Sequence, residues 1–148
     1  MNFLWDTSIL IHAIRRSSLF ENLNDQYQLL SGTNRSFLSI VSVGEIYSIA
    51  IQRKWGTAKK NDLDQLLLNL NPLTIAKRSV VSAYAEIDAF SQGKFPSKEL
   101  PPDLTARNMG KNDLWIAATA FVIGAKLITT DEDFRHLDKT YLDIILVR

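Results

Sequence analysis

The chain has 148 residues, 46% of them hydrophobic, with 17 basic residues against 16 acidic ones. This length and apolar fraction suffice for one domain, spanning residues 1–148, with a substantial buried core. The absence of cysteine excludes disulfides, a thiolate nucleophile and a cysteine-ligated zinc site. The sequence contains no run of about 18 apolar residues, so no membrane span is predicted. The N-terminus lacks the basic and apolar segments of a signal peptide. We therefore expect a soluble, cytoplasmic protein without a membrane partner.

The first half of the chain alternates between short apolar strands and amphipathic helices. Residues 3–5 predict a buried strand that ends at a helix-start signal, and residues 19–30 predict a second, weaker helix. Residues 37–41 predict the next strand, after which a helix opens at Ser42. Ser42 and Glu45 have the Ser-x-x-Glu spacing of a capping box, so one interpretation of Glu45 is a capping role. Glu45 also precedes Ile49 by one helical turn, which places it beside the apolar stripe of the helix.

The second half continues this alternation, with one long interruption. The predicted elements are a helix over 63–70, a strand over 73–76, a helix over 79–91, a helix over 111–123, a strand over 126–129, a short helical piece over 130–134 and a strand over 144–147. The interruption, residues 92–109, contains one glycine and three prolines among charged residues, and a loop this long in a compact domain is usually functional or mobile. Continuous apolar strands alternating with helices predict the α/β class, with a parallel sheet covered on both faces.

The helix predicted over 111–123 is apolar on nearly every side, so it must be buried between other elements. Its first turn carries Asp113, where the helix dipole and the free backbone N–H groups favour a negative charge. Taken alone, this pattern fits a helix-start acid capped by Asn112 as well as it fits a functional acid.

Three further acids occupy comparable positions. Asp6 and Asp131 follow predicted strands, and Glu45 and Asp113 begin helices after segments that cross the sheet. Functional sites of parallel α/β sheets lie beyond the carboxyl ends of the strands, so these four carboxylates are expected to converge. Ionised carboxylates within a few Å repel strongly unless a cation neutralises them. Ligation by oxygen alone favours Mg²⁺ or Mn²⁺, ions that keep bound waters and bind substrate phosphates.

Each acid of this predicted metal site has an assigned role. Asp6, Asp113 and Asp131 are the expected ligands, Glu45 is a ligand or the base that orients the attacking water, and Asp133 is an auxiliary acid. Four polar neighbours could hold the acids or touch phosphate, although capping and turn roles are the simpler interpretation for them: Thr7, Ser8, Asn112 and Thr129. A phosphate contact is also assigned to Lys111. The two histidines, His12 and His136, are interpreted as ordinary side chains.

Four segments resemble the motifs of the PIN-domain family, and most closely those of the VapC-like toxins of bacterial toxin–antitoxin pairs: Asp6-Thr7-Ser8-Ile9-Leu10, residues 42–46, residues 110–118 and residues 129–134. The resemblance implies a three-layer α/β/α sandwich with a mainly parallel central sheet. It also implies a Mg²⁺- or Mn²⁺-dependent endoribonuclease of single-stranded or tRNA-like RNA, a homodimer and an antitoxin partner. The family's four acids carry over to Asp6, Glu45, Asp113 and Asp131.

Two other functions stay open. A non-hydrolytic acidic module, such as a phospho-acceptor receiver domain, would carry an acidic pair after the first strand, where this chain has Asp6 alone. An inactive PIN-like scaffold that binds RNA or protein would not need the intact acids. The proline-containing segment 95–107 matches no motif of the family. The sequence leaves open the RNA that is cut, the antitoxin, the number of metal ions and the role of residues 92–109.

Overall fold

The computed structural model describes all 148 residues, from Met1 to Arg148. Five strands form one sheet in the order β3-β2-β1-β4-β5, and every pair of neighbours is parallel. The strands are β1 Asn2–Trp5, β2 Arg35–Ser39, β3 Asn71–Leu73, β4 Lys126–Thr129 and β5 Ile144–Leu146. The helices are α1 Thr7–Arg15, α2 Ser18–Tyr27, α3 Ile40–Gln52, α4 Thr57–Asn69, α5 Arg78–Ser91 and α6 Lys111–Ile123, with a 3₁₀ helix over Glu132–Leu137. None of these helices is long and apolar enough to span a membrane.

The sheet separates two hydrophobic clusters of 17 and 15 buried residues. Successive side chains of a strand point to opposite faces, and β1 shows this directly, because Leu4 belongs to the first cluster while Phe3 and Trp5 belong to the second. Helices α5 and α6 pack on the first face, and α1, α2 and α4 contribute to the second. The predicted three-layer α/β/α sandwich is therefore confirmed, with α6 buried as its apolar sequence requires.

The start of α3 differs from the prediction. Strand β2 ends at Ser39 and the helix begins at Ile40, with the Ser39 hydroxyl accepting a 3.1 Å hydrogen bond from the backbone N–H of Val41. The capping box predicted at Ser42 is wrong, since Ser42 lies inside the helix and is fully buried. The β-branched residues Ile40 and Val41 favour a strand locally, but the cap at Ser39 turns them into the first helical turn.

One strand differs from its predicted boundaries, and the long loop agrees with the prediction but is anchored. Strand β3 starts at Asn71 and is an edge strand of three residues, where Pro72 is tolerated because an edge strand can lack a ladder donor. Residues 92–109 contain no helix or strand, as predicted, yet they are anchored to the domain. The backbone N–H of Arg107 donates to the carbonyl of Ser91 at 2.8 Å, and Met109 is buried in the first cluster.

Candidate functional site

Asp6 lies at the centre of the carboxyl edge of the sheet, between β1 and α1. The residue is 6% exposed, and three donors hold its side chain. Oδ1 accepts from the backbone N–H of Thr7 at 2.8 Å, and Oδ2 accepts from the hydroxyls of Thr129 at 2.6 Å and Ser8 at 3.3 Å. These contacts fix the carboxylate in one orientation at the point where β1 and β4 end.

Asp131 follows β4 and caps the 3₁₀ helix. Its Oδ1 accepts from the backbone N–H of Asp133 at 2.9 Å, and its own backbone N–H donates to Thr129 Oγ1 at 3.0 Å. The Thr129 hydroxyl therefore contacts both acids that follow the central strands. Thr129, predicted to be an auxiliary residue, is fully buried and connects Asp6 with Asp131.

Asp113 lies in the first turn of α6 and is half-buried. The residue that caps this helix is Gly110, and no side chain makes a capping hydrogen bond there. The interpretation of Asn112 as a cap is therefore wrong, because the helix begins at Lys111 and Asn112 is already inside its first turn. Asn112 is exposed instead at the edge of the site.

Glu45 approaches from α3, on the other side of Asp6. Its Oε1 accepts a 2.9 Å hydrogen bond from the Thr7 hydroxyl, whose oxygen also lies 2.8 Å from Ser42 Oγ. The side chains of Thr7 and Ser42 thus join the start of α1 to the first turn of α3. This contact explains the burial of Ser42, for which a capping role is one interpretation of the sequence.

Three carboxylates come closest together at this edge of the sheet, and the predicted ligands Asp6 and Glu45 lie outside this closest group. One oxygen from each of Asp113, Asp131 and Asp133 lies within 4.8 Å of the others, which is a separation that one metal ion can bridge. Burial raises the pKa of Asp113 to about 7, with further contributions from the negative charges of Asp6, Asp131, Glu45 and Asp133. Asp133, assigned only an auxiliary role from the sequence, belongs to this closest group of three.

The electrostatics of Asp6 combine opposing effects. Burial raises the pKa of its carboxyl, and the nearby charges of Asp131 and Glu45 add to this, whereas the hydrogen bonds from Thr129 and Thr7 lower it. A cation among these groups would offset both the burial and the repulsion. Mg²⁺ and Mn²⁺ fit the donor set, which consists of carboxylate and hydroxyl oxygens without sulfur.

Both histidines have partners outside the acid cluster. His12 Nδ1 lies 2.9 Å from the hydroxyl of Ser17, and His136 Nε2 lies 2.7 Å from that of Ser91. His136 is 1% exposed, and burial, assisted by the charge of Arg107, lowers its pKa to about 4. It is therefore a neutral side chain of the hydrophobic interior at neutral pH.

Two open cavities flank the acids. A groove of about 540 Å³ includes Glu45 and Asn112 in its wall, and a smaller cavity of about 240 Å³ is lined by Asp133 and residues 105–109. Lys111, assigned a phosphate contact from the sequence, is exposed near the same edge and takes part in none of the five ion pairs.

Sequence reasoning gives no role to Gly44, which lines the larger groove. It interprets residues 92–109 as a functional or mobile loop but singles out none of residues 105–109, which line the smaller cavity. Each precedes a site acid closely in the chain, Gly44 before Glu45 and the segment before Asp113. That proximity is the only local signal that connects them with the site.

Solved structures of several bacterial proteins resemble this fold. VapBC2 from Rickettsia felis, bound to a DNA fragment from its promoter, is 21% identical, with a TM-score of 0.78 and coverage of 100% of both chains. VapBC-1 from nontypeable Haemophilus influenzae is 21% identical, with a TM-score of 0.72 and coverage of 99% of this chain and 98% of that one. VapBC-5 from Mycobacterium tuberculosis, a member of the VapBC family of toxin–antitoxin systems, is 22% identical, with a TM-score of 0.63 and coverage of 99% and 98%.

None of the curated proteins matches the chain by sequence. The family model for the PIN domain matches residues 3–140, a range that contains β1 except for Asn2, β2 through β4, all six helices and every acid of the site. This match covers most of the chain and agrees with the parallel sheet and the position of the acids at its carboxyl edge. The chain therefore belongs to the PIN domain family.

Proposed function

We propose that this protein is a Mg²⁺- or Mn²⁺-dependent endoribonuclease that hydrolyses phosphodiester bonds of single-stranded or tRNA-like RNA, and that it is the toxin of a toxin–antitoxin pair. The observation that carries the proposal is the convergence of Asp113, Asp131 and Asp133 within 4.8 Å. Asp6 and Glu45 lie outside this group but near enough for their charges to raise the pKa of Asp113. Membership of the PIN family supports a nuclease.

The residues of the site have different proposed roles. Asp113, Asp131 and Asp6 would hold the ion, with Asp133 as a further ligand and Glu45 as a ligand or base. When bound, the cation supplies a lowered pKa for water and stabilises negative charge on the phosphate oxygens. Asp113 must release its proton for the ion to bind, since a carboxyl with a pKa of about 7 is half protonated at neutral pH.

Hydrogen bonds fix the other two proposed site acids, Asp6 and Glu45. Thr129 and the backbone of Thr7 hold Asp6, while the Thr7 hydroxyl holds Glu45. Groups fixed in advance need no reorganisation when charge develops on a substrate. Glu45 stands on the side of the larger groove, where it can accept a proton from an attacking water.

The charge distribution suits a polyanion. The five carboxylates at the site are nearly a third of the 16 acids, so the rest of the chain has a clear excess of its 17 basic residues. A basic surface around an acidic centre draws nucleic acid toward it, and a cation lowers the remaining repulsion.

The partners follow from the relatives. Similarity to VapBC complexes over the whole chain supports an antitoxin partner. The homodimer stays a prediction from the family resemblance, and the cytoplasmic location stays a prediction from the sequence. The receiver-domain alternative is disfavoured by topology, because receivers use the strand order 2-1-3-4-5, whereas this sheet has the order 3-2-1-4-5.

Cleavage of total RNA and of a tRNA pool tests the proposal. Antitoxin-free protein is incubated with Mg²⁺, Mn²⁺ or EDTA, beside Asp113→Asn and the exposed control Asp25→Asn on α2. We expect discrete fragments that require the metal, persist with Asp25→Asn and disappear with Asp113→Asn, while circular dichroism shows all three proteins folded. Cleavage in EDTA, or full activity of folded Asp113→Asn, would refute the proposed site.

A further inference from the structure

A groove of about 540 Å³ lies between the outward face of α3 and the first turn of α6. Its wall contains Glu45 and Asn112, so it opens directly beside the acids. We propose that this groove binds the base and sugar of the nucleotide next to the scissile phosphate, and that Gly44 keeps the groove open. The inference rests on the proposed ribonuclease function.

Gly44 has no structural reason to be a glycine. It lies in the second turn of α3, and its backbone is not in the left-handed region that favours glycine. A Cβ atom built at this position would meet no other atom within 4 Å. Glycine inside a helix is less favourable than alanine, so the protein gives up helix stability at this point. Glycine at this position leaves the groove free of a side chain, one residue before Glu45.

The chemistry of the lining favours a base over a phosphate. Apart from Glu45, no lining residue is charged, so a phosphate placed there would meet a negative carboxylate and no basic side chain. Ser48, Gln52 and Asn112 offer neutral hydrogen-bonding groups of the kind that read base edges. Gln52 Nε2 already donates to Ser48 Oγ at 2.9 Å, which orients this pair along the groove.

Apolar side chains complete the lining. Val41 and Ile49 are half-buried and Ile40 is 46% exposed, so the groove presents apolar surface beside its polar groups. Unstacked bases of single-stranded RNA bind such mixed surfaces through their faces and their edges. Asn112 in the groove wall directly precedes Asp113, and Glu45 in the same wall is near enough for its charge to act on Asp113, so a strand with its phosphate at Asp113 can place a neighbouring nucleotide in the groove. Continuity with the acid site therefore favours RNA as the occupant.

The test compares wild type with Gly44→Ala and Gly44→Leu on a short single-stranded RNA pool of randomised sequence. Leucine at this position points over the groove toward the N-terminal end of α3. We expect Gly44→Leu to lower kcat/KM by roughly tenfold or more, as loss of one bound base does, and to change the base preferred beside the cut. Gly44→Ala gives a smaller decrease together with a higher unfolding midpoint. Mn²⁺ affinity stays at the wild-type value in both variants.

Ala85→Leu is the matched control, because it adds the same side chain to an exposed position of α5 outside the groove. It should cleave as wild type does. Should Gly44→Leu not fold, Ser48→Leu, at an exposed position one turn further along the groove, makes the same test.

The outcomes separate the two proposals. Wild-type protein that cuts nothing in the pool with either metal counts against the proposed function itself. Wild-type cleavage with an equal rate and the same base preference in folded Gly44→Leu overturns the groove assignment alone. Loss of Mn²⁺ binding in Gly44→Leu also overturns it, because the defect then lies at the acids.

Discussion

The hydroxyl of Thr129 donates a 2.6 Å hydrogen bond to Oδ2 of Asp6, joining the carboxyl ends of β4 and β1. The same hydroxyl oxygen accepts from the backbone N–H of Asp131 at 3.0 Å. Strands β1 and β4 are neighbours in the sheet, so one fully buried side chain sets the positions of two acids from distant parts of the chain.

Thr129→Val keeps the shape of this side chain and removes its hydroxyl. Asp6 then loses its shortest hydrogen bond, and the pKa of Asp6 rises further because that bond lowers it. Residues that orient metal-binding carboxylates typically contribute about 10–100-fold to metal affinity. We expect Mn²⁺ to bind Thr129→Val more weakly by a factor in that range, as measured by isothermal titration calorimetry.

Thr119→Val is the matched control for this substitution. Thr119 is also buried, but its hydroxyl donates to the carbonyl of Trp115 within α6 and touches no acid. Its Mn²⁺ affinity should equal that of wild type. Equal affinities of the Thr129 and Thr119 variants would show that the hydroxyl of Thr129 does not organise the site.

The strand and helix signals around the acids are local, which is why the sequence predicts the edge of the sheet where they gather. Asp6 ends an apolar strand, and Asp113 begins a helix that is apolar on nearly every side. Family motifs reinforce these signals. The parallel sheet follows from the continuous apolar strands, because strands buried on both faces do not alternate.

The sequence does not reveal contacts between residues that are far apart in the chain. The burial of Ser42 depends on Thr7, which is 35 positions away, so the local Ser-x-x-Glu spacing suggested a cap instead. Asp133 joins the closest group of acids because the turn after β4, fixed by the 2.9 Å bond to Asp131, directs it there. No periodicity in the sequence encodes either contact.

Ser39→Ala tests the observed start of α3. The substitution leaves the backbone N–H of Val41 without its 3.1 Å partner at a fully buried cap. Loss of an N-cap serine typically costs about 1 kcal/mol, so we expect the free energy of unfolding in urea to fall by about that amount. The exposed Ser82→Ala in α5 is the control and should not destabilise the protein. Identical midpoints for both variants would contradict the cap at Ser39.

Asp113 makes the metal-free protein less stable as the pH rises. Its pKa is about 7 in the folded protein and 3.8 ordinarily, so between these values the folded state holds a proton that the unfolded chain has released. The free energy of unfolding in EDTA must therefore fall from about pH 4 to about pH 7. Asp113→Asn removes this contribution and is expected to be more stable than wild type at pH 8.

Urea unfolding of both proteins in EDTA across this pH range measures the difference. The free energy of unfolding should fall more steeply with pH for wild type than for Asp113→Asn. The raised pKa of Asp6 affects both proteins. Mg²⁺ should stabilise wild type more than the variant, because the folded state alone binds the ion. Parallel curves would mean that Asp113 is not protonated in the folded state at neutral pH.

His136 changes the free energy of unfolding with pH in the direction opposite to Asp113. Its pKa is about 4 in the folded protein and 6.5 ordinarily, so between these values the unfolded chain binds a proton that the folded state does not. The free energy of unfolding then rises with pH, by up to about 1.4 kcal/mol per pH unit. Between about pH 4 and pH 6.5 this opposes the contribution of Asp113, and the two partly cancel in wild type.

His136→Gln in the Asp113→Asn background isolates the contribution of His136 to the pH dependence of stability. Glutamine does not titrate and can still reach the hydroxyl of Ser91, which lies 2.7 Å from His136 Nε2. Relative to this double variant, the Asp113→Asn parent should lose stability as the pH falls from about 6.5 to about 4. Ser91→Ala in the same background should lower stability at every pH without changing the slope, because its hydroxyl carries no charge. A double variant with the slope of its parent would show that His136 takes up its proton without unfolding the chain.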